Sequence, residues 1–185
     1  MALADADIAP PARGRYTLDA REVIVEDVLH ATYLANRAAA REAGVSLDLE
    51  VADQLPLVRG DASKLQQVFS NIVSNAIKFT LREGAVKIEA IRLADGGVGV
   101  MIRDTGVGIP PEQLERIFDP FFTNRRNGTM GTGLGLSVSL SMMRGMGGDI
   151  RIESDEGRGT RVILSLPIVE RRRKPRTGAA PRVRI

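Results

Sequence analysis

Lys64-Leu65-Gln66-Gln67-Val68-Phe69-Ser70-Asn71-Ile72-Val73-Ser74-Asn75-Ala76-Ile77-Lys78-Phe79-Thr80 carries two separate stripes at helical spacing. Leu65, Val68, Phe69, Ile72, Val73, Ala76 and Ile77 recur at i, i+3, i+4 and i+7, which predicts a helix buried along one face. Asn71, Asn75 and Lys78 recur at i, i+4 and i+7, and at about 100° per residue they fall within an arc of roughly 60° beside that face. Two amides and an ammonium therefore look into one space at the edge of a core. Amide oxygens can complete the shell of a hard cation such as Mg²⁺, and a lysine can meet phosphate. Taken alone, the same stripe also fits a polar flank on an amphipathic helix, although asparagine is a poor helix former and two in one interior need a reason.

Upstream of this segment, Asp61 has the residue type and place of an N-cap. Val45 to Val51 alternates as a half-buried strand does, and Asp19 to Ala43 reads as a helix stopped by Gly44. Downstream, Ala85 to Leu93 and Gly97 to Arg103 read as two strands joined by the turn Asp95-Gly96-Gly97. A short helix is expected from Pro110 to about Phe118, because a first-turn proline costs nothing. Asp119 to Gly133 has no period and reads as a long loop, and Leu134 to Gly145 as a helix. Gly148 to Ser154 and Thr160 to Leu166 form a closing hairpin. Helices alternating with strand pairs predict an α/β (α+β) two-layer sandwich: a mixed, mostly antiparallel sheet covered on one face by helices. Met142, Met143 and Met146 are expected to fill gaps in the core.

The chain has 185 residues and is 43% hydrophobic, which suits one domain of ordinary size. Residues 1–15 read as a leader or the end of a linker, 16–168 as the folded domain, and 169–185 as a basic, disordered tail. The net charge of +3 misleads, because residues 171–185 hold seven of the 26 basic residues and no acid. The remaining 19 bases face 23 acids, so no basic face for specific nucleic-acid binding is indicated. Without cysteine, disulfides, thiolate metal sites and cysteine nucleophiles are excluded. There is no run of 18 or more apolar residues, and the N-terminus lacks the parts of a signal peptide, so a soluble chain is expected.

Two glycine elements flank the long loop. Asp104-Thr105-Gly106-Val107-Gly108 follows a predicted strand. A carboxylate there can accept from an exocyclic amine, and the glycines let a flat ring approach the backbone. A tight turn with a self-capping aspartate is the other reading. Gly131-Thr132-Gly133-Leu134-Gly135-Leu136 opens a predicted helix whose free N–H groups suit a phosphate, but it has neither the lysine of a P-loop nor the preceding strand of a dinucleotide fingerprint. Between them, Phe118-Asp119-Pro120-Phe121-Phe122 and Arg125-Arg126 sit in a loop that could close over a ligand, or simply plug the core beneath it.

In this order and spacing the segments resemble the catalytic ATP-binding domain of bacterial sensor histidine kinases, within the superfamily that includes gyrase, mismatch-repair ATPases and heat-shock chaperones. The Asn71 to Lys78 stripe resembles the N box, Asp104-x-Gly106-x-Gly108 the G1 box, Phe118 to Phe122 the F box, and Gly131 to Leu136 the G2 box. The resemblance implies a Bergerat-type fold that binds ATP and Mg²⁺, with Asn75, helped by Asn71, on the metal and Lys78 on phosphate. It implies that Asp104 receives the adenine amine, that Gly106 and Gly108 shape its pocket, and that Thr160 supports it. Phe118, Gly131, Thr132, Gly133, Leu134, Gly135 and Leu136 would complete the nucleotide site, and Arg125 or Arg126 would reach the γ-phosphate. An amide at position 71, where hydrolytic relatives carry a glutamate, cannot act as a base and favours phosphoryl transfer.

The implied acceptor is a histidine on a dimerisation domain of the same kinase, with a response regulator receiver domain as the indirect partner. His30, the single histidine, lacks an acidic neighbour after it and reads as an ordinary helix residue. The chain is then expected to be a cytoplasmic fragment, monomeric alone, possessing an ATP site without its acceptor. The alternatives are a nucleotide-gated interaction module without kinase activity and an anti-sigma-type serine kinase.

Overall fold

The computed structural model describes residues 18–122 and 132–168. Its organising element is α2, Ala62–Phe79, which carries both the apolar and the polar stripe. Asp61 caps it: Oδ1 accepts from the Ser63 and Lys64 amides at 3.0 and 3.2 Å and from the Ser63 hydroxyl at 2.7 Å. All seven residues of the predicted apolar stripe are buried. Before it come β1 (Arg21–Val23), α1 (Val25–Ala43), β2 (Ser46–Val51) and β3 (Val58–Gly60). After it come β4 (Ala85–Arg92), β5 (Val98–Asp104), the single turn α3 (Pro111–Leu114), α4 (Gly135–Gly145), β6 (Asp149–Asp155) and β7 (Gly159–Leu166).

The five main strands run in the order β2-β4-β5-β7-β6, with β2 parallel to β4 and the other pairs antiparallel. Because alternate strand residues share a face, Val86, Ile88, Val100, Ile102, Val162, Leu164 and Ile150 form one core with the helices. Lys87, Glu89, Arg103, Arg161 and Glu153 occupy the opposite, open face, where Lys87 pairs with Glu50 and Glu89 at 2.8 and 2.9 Å. The two-layer sandwich is therefore the observed fold. Met142, Met143 and Met146 are buried core, and the Met146 sulfur accepts the Asp61 amide at 3.4 Å. Among the described residues no helix is long and apolar enough to cross a membrane.

Two local expectations are corrected. The helix expected from Asp19 starts at Val25, because Arg21–Val23 pairs antiparallel with Val58–Gly60. That pairing makes a second small sheet from two three-residue strands, too short to show a period. The helix expected to reach Phe118 is one turn long, and residues 115–120 continue as turns.

Asp61 also binds the chain's incoming arm, its Oδ2 accepting the Asp19 amide at 3.2 Å. The Ser63 hydroxyl bond in particular holds its carboxyl below the usual carboxylate range, against the opposing effect of burial. A folded-state value below the unfolded one gives stability that is present above the ordinary aspartate range and lost as pH falls through the lowered value. Asp61→Ala is expected to cost about 1–2 kcal/mol in denaturant unfolding at neutral pH, the worth of a cap. Its deficit relative to the unmodified chain should shrink in strong acid, and a deficit that is flat with pH would contradict the ionic role.

Candidate active site

The second half of α2, the C-terminal end of β5 and the N-terminal end of α4 enclose a cavity of about 270 Å³. Asn71, Asn75 and Lys78 line it from one side, as their helical arc predicts, and Asp104 and Thr160 from the sheet. Gly108, Thr132, Gly133, Gly135 and Leu136 line it as well. Described residues from α2 to β7 thus meet in one concave surface whose walls are apolar: Ile72, Ala76, Phe79, Ile109, Ile117, Phe122, Ile152 and Val162.

Asp104 ends β5 and is buried among these groups. Its Oδ1 accepts two backbone amides, Gly106 at 2.8 Å and Thr160 at 3.2 Å. Oδ2 is left to a donor entering the cavity. Burial raises the Asp104 pKa above the ordinary aspartate value, and the two amide bonds oppose that rise. Gly106 is not itself a wall of the cavity. A Cβ there would stand 2.4 Å from the Phe79 carbonyl oxygen, so its part is to bring an N–H to Asp104.

The loop after Asp104 is fastened on both sides. The Val107 amide donates to the Phe79 carbonyl at 3.1 Å, the Gly157 amide to the Val107 carbonyl at 2.8 Å, and the Ile109 amide to Ser154 Oγ at 2.8 Å. Gly108 has φ +67°, and a Cβ on it would lie 2.0 Å from the Asp155 carbonyl oxygen, so only glycine fits against the β6–β7 turn.

Asn71 is oriented from α4, its Nδ2 donating to Ser139 Oγ at 3.0 Å. Its Oδ1 lies where a Cβ on Gly135 would be, at 2.4 Å. On the remaining wall the Phe122 ring lies 5.3 Å from the Arg116 guanidinium. The Phe121 amide donates to the Gly133 carbonyl at 2.9 Å, which joins the end of the phenylalanine cluster to the start of α4.

Of the remaining sequence-derived site residues, Phe118 packs against the core and Leu134 caps α4, and neither is a wall of the cavity. Arg125, Arg126 and Gly131 lie outside the described residues. His30 is exposed on α1, with Nε2 3.8 Å from Glu26 Oε1. Ser139 and Ser154, which the motifs do not single out, also support the site. Ser139 follows Gly135 by one helical turn, a signal that was there to read, whereas Ser154 is placed only by strand pairing.

Fold and site together define an α/β nucleotide-binding domain of the kind in which a helix carries asparagines against a buried aspartate. Residues 60–170 match the family described as histidine kinase-, DNA gyrase B- and HSP90-like ATPases, and the chain belongs to that family. The sensor histidine kinase RcsC of Salmonella typhimurium is 41% identical over 114 residues, covering 60% of this chain and 12% of RcsC. The catalytic domain of the histidine kinase ThkA superposes with a TM-score of 0.71 at 30% identity, over 80% of this chain and 95% of that domain. Full-length ShkA in complex with AMPPNP gives a TM-score of 0.73 at 30% identity, over 82% of this chain and 32% of ShkA.

Proposed function

We propose that the chain is the catalytic module of a sensor histidine kinase, holding Mg-ATP and donating its γ-phosphoryl group to a histidine on a separate dimerisation domain. The observation that carries this reading is the convergence of the free Asp104 oxygen with Asn71, Asn75 and Lys78 on one cavity. In that arrangement Asp104 Oδ2 takes a hydrogen from the adenine amine. Thr160 flanks it, and Lys78 neutralises phosphate charge. A histidine nitrogen then attacks the γ-phosphorus while the bond to the ADP oxygen breaks, and ADP is released. Positioning and charge neutralisation supply most of the rate in such transfers.

Among the described residues no three His, Cys, Asp or Glu side chains gather as a metal site. The donors at hand are neutral amide oxygens. They suit Mg²⁺, which keeps several waters and takes phosphate oxygens from the nucleotide. The missing Cβ of Gly135 leaves room for the Asn71 amide itself, which lines the cavity together with Asn75. Asn75 and Asn71 are thus the residues to hold it, and a bound Mg²⁺ would withdraw charge from the β- and γ-phosphates. With an amide at position 71 tied to Ser139, that position has no carboxylate to activate water, which favours transfer over hydrolysis. ThkA, which this chain resembles, has been solved with its response regulator TrrA, and a receiver domain is proposed as the eventual phosphoryl acceptor here too.

Calorimetric titration with AMPPNP, in Mg²⁺ and in EDTA, tests the reading. The unmodified chain should bind more tightly with Mg²⁺, and Asn75→Ala should lose about tenfold or more in Mg²⁺ while changing little in EDTA. Undiminished Mg²⁺ enhancement in Asn75→Ala would remove that residue from the metal, and no binding by the folded, unmodified chain would sink the kinase reading.

A further inference from the structure

Asp104, Thr160 and Ser154 form a row across three neighbouring strands. Ser154 lies opposite Thr160 in the β6–β7 register, and Asp104 and Thr160 each lie one step beyond the Arg103–Arg161 pair. All three are on the helix-covered face, Asp104 and Thr160 in the cavity wall and Ser154 just behind it. Ser154 Oγ has three polar neighbours: the Ile109 amide at 2.8 Å, the Gly159 carbonyl at 2.8 Å and Thr160 Oγ1 at 2.9 Å.

A serine hydroxyl has one proton and two lone pairs. The Ile109 N–H can only donate, so it occupies one lone pair. The Gly159 carbonyl can only accept, so at 2.8 Å it must receive the single Ser154 proton, since two unprotonated oxygens at that distance would repel. The third contact then has one solution, with Thr160 donating its proton to Ser154.

We infer that Ser154 is a positioning residue that sets base specificity by fixing the direction of the Thr160 hydroxyl. This rests on the nucleotide reading above. With its proton held by Ser154, Thr160 offers only lone pairs to the cavity. Asp104 Oδ2, the oxygen its two amides leave open, offers lone pairs as well. The recognition edge is therefore acceptor beside acceptor. An exocyclic amine, with two hydrogens, meets both. A 6-oxo purine sets its own lone pairs against them and is rejected. The chemical class selected is a 6-aminopurine nucleotide, and the selection depends on a serine that touches no part of the ligand.

ATP and ITP differ in this way, 6-amino against 6-oxo, and share the same phosphates and Mg²⁺. Competition of each against a fluorescent adenine nucleotide on the 185-residue chain reads the ratio of their affinities. In Ser154→Ala the Thr160 hydroxyl loses its acceptor and turns to donate into the cavity. The ATP-over-ITP ratio is then expected to fall about tenfold, the worth of one hydrogen bond. Ser154→Thr should restore it. Thr160→Val should lower the ratio similarly, and adding Ser154→Ala to it should lower it no further, because both act through the same hydroxyl. A parallel loss of ATP and ITP affinity in Ser154→Ala, or an unchanged ratio, would overturn the inference. If Ser154→Ala does not melt as a folded chain, an unchanged ratio in Thr160→Val would do the same. Failure of the unmodified chain to bind ATP would instead overturn the nucleotide reading beneath it.

Discussion

Asp104→Asn is expected to abolish most nucleotide binding while leaving the fold intact. Both amide donors converge on one carboxylate oxygen, Gly106 at 2.8 Å and Thr160 at 3.2 Å. In the asparagine the remaining oxygen must stay on those two N–H groups, or two buried donors are left unsatisfied. The NH₂ then replaces Oδ2 and faces the cavity. A ligand amine meets a donor where it needs an acceptor, which costs about 3 kcal/mol, roughly a hundredfold in Kd. Calorimetry with AMPPNP reads the loss, and affinity within threefold of the unmodified chain would remove Asp104 from the base site.

The pH dependence sharpens this test. Burial raises the Asp104 pKa, so the folded chain takes up this proton more readily than the unfolded chain. Its contribution to stability is therefore greatest below the ordinary aspartate value and is lost as pH rises through the raised one. Nucleotide affinity moves the other way, rising over the same interval as the accepting carboxylate forms. Asp104→Asn removes both dependences at once, and its own residual affinity should be flat there. Ligand capture thus gains from ionising a group whose ionisation the fold resists, as buried functional carboxylates commonly show.

What could be read beforehand was set by local chemistry. The α2 stripes, the Asp61 cap, the Gly44 stop and both hairpins are written in side chains within a few residues of one another, and the structure agrees with each. The strands at 21–23 and 58–60 were hidden because each exists only by pairing with the other across a long stretch of chain, Arg21 with Gly60 and Val23 with Val58. The same division runs through the site. Asn71, Asn75 and Lys78 announce themselves by spacing on one helix. The Ser154 hydroxyl matters through a carbonyl, an amide and a threonine brought together by two turns and a strand pair. Its sequence neighbourhood, Arg151-Ile152-Glu153-Ser154-Asp155, reads only as an alternating strand.

Gly135→Ala should separate stability from function more sharply than any other single change. Gly135 is the first residue of α4, where alanine is the better helix former by up to about 1 kcal/mol. Nothing in the backbone opposes the change: the three atoms nearest an added Cβ all belong to the Asn71 amide, with Oδ1 at 2.4 Å. The methyl group therefore displaces Asn71, breaking its 3.0 Å bond to Ser139 and turning its oxygen from the place where a cation-bearing phosphate would lie. Ser139 is buried and loses the partner that orients it. The expected outcome is a melting temperature within a few degrees of the unmodified chain, in either direction, with AMPPNP affinity in Mg²⁺ reduced about thirtyfold or more and affinity in EDTA reduced much less. Equal losses in Mg²⁺ and EDTA would mean that the methyl group blocks the nucleotide directly, and no loss in either would mean that Asn71 holds neither metal nor phosphate. A large fall in melting temperature would show that α4 itself moves, and that the packing of α4 on α2, rather than the asparagine between them, tolerates no added carbon.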